Sequence, residues 1–192
     1  MAEWTDVGEI TLLQIQTGEM TGQGGYDLSL LIPVEVLKLT PDGVFGLSNG
    51  AWIADRHHRY HPAARHWHAT ETLSFGFTSH YDHMWNLFRP TELGAGGENV
   101  IVVADRMVEL DDIAGGFRID AIDGQVELLE PEVAQPCVEF TRFMTSRPDA
   151  TARELKVDRE KLGNGVRGFV VGIGGPDAFD VHVGDRLSIR TA

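Results

Sequence analysis

The fold is decided by residues 117–130, FRIDAIDGQVELLE, which hold two apolar-rich runs on either side of the pair Asp123-Gly124. The runs Phe117–Ile122 and Gln125–Glu130 each have the length of a β-strand. An Asp-Gly pair between two such runs is a strong signal for a two-residue β-hairpin. We therefore expect two antiparallel strands in this part of the chain.

Short apolar runs of this kind recur along the chain and are punctuated by Gly, Asp and Pro, which is typical of an all-β fold. Pro33 predicts an edge or bulged strand, and Gly184-Asp185 predicts a kink or tight turn in the last strand. About ten short strands fit a closed or nearly closed β-barrel better than an open sheet, because a barrel has no unpaired edges. The candidate strands are Glu9–Gln16, Leu28–Leu39, Gly43–Ile53, Thr70–Thr78, Asn99–Val103, Met107–Leu110, Phe117–Ile122, Gln125–Glu130, Val166–Ile173 and Val181–Ile189.

Two or three short helices accompany the strands, so the predicted fold class is all-β, or β-rich α+β. Ser79 with Asp82 and Thr151 with Glu154 have the spacing of helix capping boxes. Pro136 suits the first position of a third helix, because its missing N–H has no partner there in any case. The predicted helices are Ser79–Phe88, Pro136–Thr145 and Thr151–Gly163.

The composition limits the class of protein. The chain has 192 residues, 42% of them apolar and 23% charged, which predicts one globular domain over residues 1–192. Its single cysteine excludes an internal disulfide and a multi-cysteine zinc site. Apolar runs stay well short of the roughly 20 residues that span a bilayer, and the acidic N-terminus is unlike a signal peptide. We expect a cytoplasmic protein without a membrane partner. A net charge of −13 argues against nucleic acid as a partner.

One segment is basic in this acidic chain. Residues 55–68 contain three arginines, a single acid and five of the eight histidines. We expect an anionic small ligand to find its attractive potential there.

Cys137 is the second residue of the helix predicted to begin at Pro136. A thiol at this position faces unpaired backbone N–H groups and the positive end of the helix dipole. Both favour the thiolate, which attacks electrophiles and binds soft metals. The alternative is that Cys137 is a small, buried, inert apolar residue.

Several motifs occur in the order in which MOSC domains have them, the domains named for the C-terminal region of molybdenum-cofactor sulfurases. The segment Gly96-Gly97-Glu98-Asn99 before a strand resembles the family's "GEN" segment, and Asp55-Arg56-His57 is similar to its Asp-Arg-His stretch. The only cysteine falls on the family's Pro-Cys pair. The resemblance covers roughly residues 45–190; residues 1–44 match it poorly. The closing strands are matched by Arg167-Gly168-Phe169-Val170-Val171 and Val183-Gly184-Asp185-Arg186-Leu187.

The resemblance implies a β-barrel that binds molybdenum cofactor or carries sulfur through its cysteine. In some members the cysteine sulfur ligates molybdenum and the domain helps to reduce N-hydroxylated substrates; in others it is proposed to handle persulfide sulfur. Pyridoxal phosphate binding is also associated with the family. Implied partners are a small anionic cofactor or sulfur donor and an electron-transfer or sulfurtransferase protein. In this chain Cys137 would be the sulfur ligand of molybdenum or the sulfur carrier. The implied cofactor-binding residues are Arg56, His57 and Arg59 for the phosphate, Arg167 as a second anion ligand, and Glu98 and Asn99 for the pterin edge.

Two readings compete with this hypothesis. In the first, the protein is a non-catalytic barrel that binds a small anion or a partner protein, with a buried and inert Cys137. In the second, it is a metal-dependent enzyme built on the histidines between His57 and His68. Their spacing does not match a strong zinc signature such as H-E-x-x-H.

Overall fold

The computed structural model describes residues 3–22, 25–64, 67–175 and 178–191. In chain order the strands are β1 Glu3–Gln16, β2 Thr21–Gly22, β3 Gly25–Tyr26, β4 Leu31–Pro33, β5 Val36–Thr40, β6 Gly43–Ser48, β7 Ala51–Ala54, β8 Leu73–Phe77, β9 Val100–Val102, β10 Phe117–Ala121, β11 Gly124–Val133, β12 Phe169–Ile173, β13 Phe179–His182 and β14 Arg186–Thr191. The helices are α1 Thr78–Leu87, α2 Leu110–Ile113, α3 Val138–Thr145 and α4 Lys156–Leu162, with a 3-10 turn at Leu28–Leu30.

The main sheet closes on itself. Within the described ranges, seven strands follow one another in the order β14-β10-β11-β12-β8-β9-β1, and β1 pairs with β14 to complete the barrel. Neighbouring strands are antiparallel except β8 and β9, which are parallel and are connected through α1. Parallel strands need such a crossover, because a tight turn reverses the chain direction. The predicted β-barrel class is therefore confirmed.

The hairpin that decides the fold forms as the sequence predicts. Phe117 pairs with Leu128 and Ile119 with Val126, and all four side chains are buried. Ala121 pairs with Gly124, so the two-residue loop is Ile122-Asp123, one position earlier than expected. Successive side chains of a strand point to opposite faces, so one face of each strand is directed into the barrel and the other is more exposed.

A second sheet with the strand order β13-β5-β6-β7 accompanies the barrel. The predicted last strand, Val181–Ile189, divides between the two sheets: β13 pairs with β5, whereas β14 closes the barrel. Gly184 lies in the turn between them with φ of 98°, a backbone conformation that favours glycine. The predicted tight turn is thus the point where the chain changes sheets.

The core has two parts. Inside the barrel, Phe75 lies between Phe117 and Phe169, with ring centroids 4.9 and 5.9 Å away. A second apolar cluster, which includes Tyr81 of α1 and Phe140 of α3, packs these helices against the barrel. The described residues contain no helix that is both long and apolar enough to cross a bilayer.

Three other predicted strands have different bounds in the structure. Glu9–Gln16 is the second half of β1, which begins at Glu3 and passes a register shift between Asp6 and Gly8. Leu28–Leu39 becomes the 3-10 turn, β4 and β5, and β4 ends at Pro33 on an edge of the sheet. Gly43–Ile53 is the hairpin β6–β7, which turns at Asn49-Gly50.

The strand predicted at Met107–Leu110 is wrong. Val108 is buried, but its carbonyl accepts a hydrogen bond from Nε2 of His80 at 2.9 Å and pairs with no strand. Glu109 then forms a capping box with Asp112, so helix α2 begins at Leu110. His80 of α1 thus provides the hydrogen bond to the Val108 carbonyl that the strand prediction assigned to a neighbouring strand.

The predicted helix starts also need correction. Ser79 does not cap α1, which begins at Thr78 without a side-chain cap. Thr151 and Glu154 do form reciprocal hydrogen bonds, but they stabilise a turn and α4 begins only at Lys156. Helix α3 begins at Val138, so Pro136 lies before the helix.

Candidate functional site

A cavity of about 490 Å³ collects most of the residues singled out in the sequence. Two other cavities, of about 480 and 520 Å³, contain none of the predicted site residues, so chemistry rather than size distinguishes this one. We call it the Cys137 cavity. Among its lining residues are Arg56, His57, Glu98, Asn99, Cys137 and Arg167.

Four separate chain segments bring these residues together. Arg56 and His57 follow β7, Glu98 and Asn99 precede β9, Cys137 precedes α3, and Arg167 precedes β12. The barrel therefore positions turns from distant parts of the sequence around one opening.

The sequence predicted Cys137 as the second residue of α3, but in the structure it is the N-cap of that helix. Its Sγ accepts a hydrogen bond from the backbone N–H of Phe140 at 3.3 Å. Its side chain is half-buried, and it also packs against the second apolar cluster. An N–H donor at a helix start is a contact that a negatively charged sulfur accepts well. Cys137 is therefore partly exposed at the cavity.

The guanidinium Nε of Arg56 has no hydrogen-bond partner among the described residues. This buried N–H donates to no described residue, and no described carboxylate forms an ion pair with Arg56. The backbone N–H of Arg56 donates to the carbonyl of Gln16 at 2.6 Å, which fixes the position of the residue. A half-buried arginine that lines a cavity and has an N–H without a partner among the described residues is suited to an anionic ligand.

Arg59 does not line the Cys137 cavity, although the sequence grouped it with Arg56. Its guanidinium contacts Asp42 at 3.2 Å and lies 5.0 Å from the ring centre of Trp67. Of the two arginines in the turn after β7, Arg59 thus has an ion pair, whereas Arg56 has none with a described residue.

Asp55 is the buried group that organises this wall of the cavity, and the sequence reading did not give it a role. Its Oδ1 accepts hydrogen bonds from the backbone N–H and Nδ1 of His57, and its Oδ2 from the N–H of Gln16 and Nδ2 of Asn99. Burial raises the pKa of Asp55, but the hydrogen bonds from His57 and Gln16 outweigh it and hold the pKa below its ordinary value. The carboxylate therefore orients the ring of His57.

Asn99 serves the protein scaffold. Its Oδ1 accepts from the backbone N–H and hydroxyl of Ser74, and its Nδ2 donates to the carbonyl of Gln14 and to Asp55. These contacts use the donors and leave little capacity for a ligand. Asn99 thus connects β8, β1 and the turn after β7.

Glu98 lies at the cavity with only 3% of its surface exposed. Its Oε2 accepts a hydrogen bond from the hydroxyl of Tyr81 at 2.6 Å, whereas Oε1 is buried without a partner among the described residues. Burial raises the pKa of Glu98, although Tyr81 and the charge of Arg167 oppose this effect.

Arg167 connects two walls of the cavity. Its guanidinium donates to the carbonyls of Gln135 and Gly96 at 2.8 and 2.9 Å and lies 5.1 Å from the ring centre of Phe140. The predicted anion ligand is thus also a structural cross-link between the turn before α3 and the turn before β9.

The cavity carries charges of both signs. The exposed residues Glu19, Glu71 and Glu132 line it together with the two arginines. Tyr26 also lines it, and burial raises the pKa of Tyr26 well above its ordinary value. Of the arginines in the predicted basic segment, the cavity contains only Arg56 among the described residues, and its second arginine, Arg167, comes from another part of the chain.

The histidine-rich segment does not assemble a metal site in the part of the chain that the structure describes, where no group of three His, Cys, Asp or Glu residues could hold an ion. His58 is buried against Phe45, and His61 accepts a hydrogen bond from the N–H of Ala63. Residues 65 and 66, which belong to the predicted basic segment, lie outside the described residues.

Comparison with known proteins gives structural relatives only. No protein-family model matches the chain, and no curated protein matches it. The crystal structure of the YuaD protein from Bacillus subtilis is similar over 100% of both chains, with a TM-score of 0.64 and 16% identity. A second structure, described as that of a hypothetical protein, is similar over 97% of this chain and 68% of that chain, with a TM-score of 0.52 and 13% identity. Such likeness shows the fold alone, so function is argued from the cavity.

Proposed function

We propose that the Cys137 cavity binds molybdenum cofactor, with the sulfur of Cys137 as the protein ligand of molybdenum and Arg56 as a ligand of the cofactor's phosphate. The observation that carries this proposal is the convergence of Cys137, Arg56, Glu98 and Arg167 from four segments on one cavity. These are positions at which the sequence resembles MOSC domains.

The residues present suit such a cofactor. A cysteine sulfur is a soft donor of the kind that binds transition metals. The guanidinium of Arg56, which forms no ion pair with a described residue, can form a forked, charge-assisted contact with a phosphate. A volume of about 490 Å³ is within the range of cavities that hold small molecules and cofactors.

Each residue of the cavity has a distinct part in this proposal. Arg56 binds the anionic end, while Asp55 fixes the ring of His57 beside it. Arg167 holds the turns that carry Gly96 and Cys137. The bound cofactor would supply a redox-active metal, for which reduction of N-hydroxylated substrates with electrons from a partner protein is the proposed chemistry.

The test is the cofactor content of variants after expression with molybdate. We expect Cys137→Ser to lower the molybdenum bound per protein at least about tenfold, because a hydroxyl is a poor replacement for a soft sulfur ligand. Arg56→Ala should lower the affinity for the pterin by roughly 10-fold or more through loss of a charge-assisted contact. Arg59→Ala is the matched control and should change neither quantity, because Arg59 does not line the cavity. Unchanged molybdenum in Cys137→Ser contradicts the proposal.

The same preparations distinguish the competing functions. Protein without molybdenum, whose Cys137 carries the mass of one added sulfur, would assign sulfur carriage. Zinc that is lost on substitution of His57 would assign the metal-dependent enzyme. Anion binding that is indifferent to Cys137→Ser would assign the non-catalytic binding protein.

A further inference from the structure

The two oxygens of Glu98 have different surroundings. Oε2 accepts a hydrogen bond from the hydroxyl of Tyr81, and Oε1 has no partner among the described residues. A buried oxygen without a donor is costly when the carboxyl group is charged. The carboxyl group is therefore poised to hold a proton.

The geometry at Tyr81 decides which oxygen holds that proton. The N–H of Gly96 donates to the Tyr81 oxygen at 2.9 Å, so the hydroxyl proton of Tyr81 is free to point at Oε2 of Glu98, 2.6 Å away. With Oε2 already accepting, a proton bound by Glu98 belongs on Oε1.

Gly96 makes room for this arrangement. A Cβ atom at position 96 would collide with Oε1 of Glu98, so this glycine allows the carboxyl group to lie directly against the backbone that lines the cavity. The acid is thus built into the cavity wall.

We propose that Glu98 takes up one proton when an anion binds in the Cys137 cavity, so that anion affinity is linked to the protonation of this buried acid. The proton comes from water and forms an O–H bond at Oε1; when the anion leaves, that bond breaks and the proton returns to solvent. Tyr81 is the positioning residue. The identity of the physiological anion rests on the proposed function, whereas the linkage itself does not.

The charges around Glu98 support this direction. Burial raises the pKa of Glu98. Arg167 is the nearby cation whose charge acts on Glu98, and its guanidinium is already engaged with two carbonyls. An added anion disfavours a second negative charge in the same cavity, which favours protonation further. The other titratable groups that face the cavity are Glu19, Tyr26, His57, Glu71, Glu132 and Cys137.

The test measures sulfate affinity as a function of pH. Sulfate is used because it remains a dianion throughout the titration. All proteins carry His57→Gln and Cys137→Ser, which removes these two titrations from the comparison. We expect the Kd for sulfate to rise at least about 5-fold as the pH passes upward through the pKa of Glu98. Glu98→Gln, a neutral group of similar shape, should bind sulfate with a Kd that is low and independent of pH.

Glu132→Gln is the matched control, because Glu132 is an exposed acid that lines the same cavity. It should lower the Kd by a small constant factor and preserve the pH dependence. A pH dependence that persists in Glu98→Gln, or sulfate that does not bind the parent protein, overturns the proposal.

Tyr81→Phe provides a second test should Glu98→Gln fail to fold. Loss of the hydroxyl removes a donor to the charged form of Glu98, which raises the pKa of Glu98 further. The rise in Kd should therefore move to higher pH, and an unmoved profile overturns the proposal. Sulfate contains neither pterin nor metal, so these results are distinguishable from failure of the cofactor proposal.

Discussion

Asp55 and Glu98 are two carboxyl groups beside the same cavity, 1% and 3% exposed, yet their environments are opposite. Asp55 accepts four hydrogen bonds, two at each oxygen. Glu98 accepts one from Tyr81 and has a second oxygen without a partner among the described residues. The pKa of Asp55 is lowered and that of Glu98 is raised, although burial raises the pKa of both.

The difference shows how burial acts on an acid. Desolvation penalises the charged form, and hydrogen-bond donors together with nearby positive charge can outweigh that penalty. Asp55 has these donors and behaves as part of the scaffold. Oε1 of Glu98 accepts no hydrogen bond from the described residues, so it can bind a proton or accept a hydrogen bond from a ligand. Arg59 and Arg56 repeat the contrast with cations, since Arg59 contacts Asp42 and Arg56 has no ion pair with a described residue.

The largest expected effect is that of Asp55→Ala. The substitution leaves the N–H groups of Gln16 and His57 and the amide of Asn99 without their acceptor. We expect the free energy of unfolding to fall by about 3–5 kcal/mol, as when one partner of a buried polar network is removed. Urea denaturation at neutral pH measures this change.

Asp42→Ala is the control for Asp55→Ala, since Asp42 pairs with an exposed arginine and should cost at most about 1 kcal/mol. If the two substitutions cost the same, Asp55 is not the scaffold group that its hydrogen bonds indicate.

His80 extends the comparison to a buried base. Burial lowers the pKa of His80 to about 4. An unfolded histidine titrates near pH 6.5, so the unfolded chain binds more protons between these values. Stability is therefore complete above about pH 6.5 and falls as the pH drops towards 4, by up to about 3 kcal/mol. His80→Gln should remove most of this slope in a series of urea titrations.

His83 gives the matched control, because it is exposed on the same helix. His83→Gln should preserve the acid-induced loss of stability. A slope that disappears in His83→Gln and persists in His80→Gln would assign the effect to the exposed residue.

Glu98→Gln tests the other side of the contrast. The pKa of Glu98 is higher in the folded protein than in the unfolded chain, so protonated Glu98 favours the folded state. This stabilisation is complete below the pKa of an unfolded glutamate, and it is lost as the pH rises through the pKa of Glu98 in the folded protein. Glutamine does not titrate, so the stability of Glu98→Gln relative to the parent should increase with pH. The difference at neutral pH should stay below about 1.5 kcal/mol, since glutamine retains an acceptor for Tyr81.

The free energy of unfolding, measured from about pH 4 to pH 8, checks this prediction. Glu132→Gln, at an exposed acid of the same cavity, should leave the slope unchanged. If the stability of Glu98→Gln relative to the parent instead decreased with pH, the fold would stabilise Glu98 in its charged form, as it does Asp55.

Local patterns predicted much of the fold. The Asp123-Gly124 hairpin formed because turn chemistry and alternating burial act over a few residues. The sequence at Met107–Leu110 misled the strand prediction, since the partner of the Val108 carbonyl is a histidine from a distant helix. The Asn49-Gly50 turn was missed, although an Asn-Gly pair is a strong hairpin signal.

The sequence predicted most residues of the candidate site, but it did not predict which of them have hydrogen-bond or ion-pair partners. Motif order brought Arg56, Glu98, Cys137 and Arg167 together, and the structure gives them a common cavity. Which group is satisfied depends on neighbours from other segments, such as Tyr81 for Glu98 and Asn99 for Asp55. A single sequence does not contain those distances, so Arg59 and Arg56 looked equivalent.

The smallest expected effect separates these two arginines by stability. Arg59→Ala removes an exposed contact with Asp42 and the packing on Trp67, which should cost about 0.2–1 kcal/mol. Arg56→Ala removes no ion pair with a described residue and should leave the free energy of unfolding within about 0.5 kcal/mol. Urea denaturation in low salt resolves the difference. Together with the ligand measurements, the pair should show a crossed pattern: Arg59 affects stability and not binding, and Arg56 affects binding and not stability. A loss of stability confined to Arg56→Ala would place its guanidinium in the scaffold and remove the cation that the cavity offers to an anion.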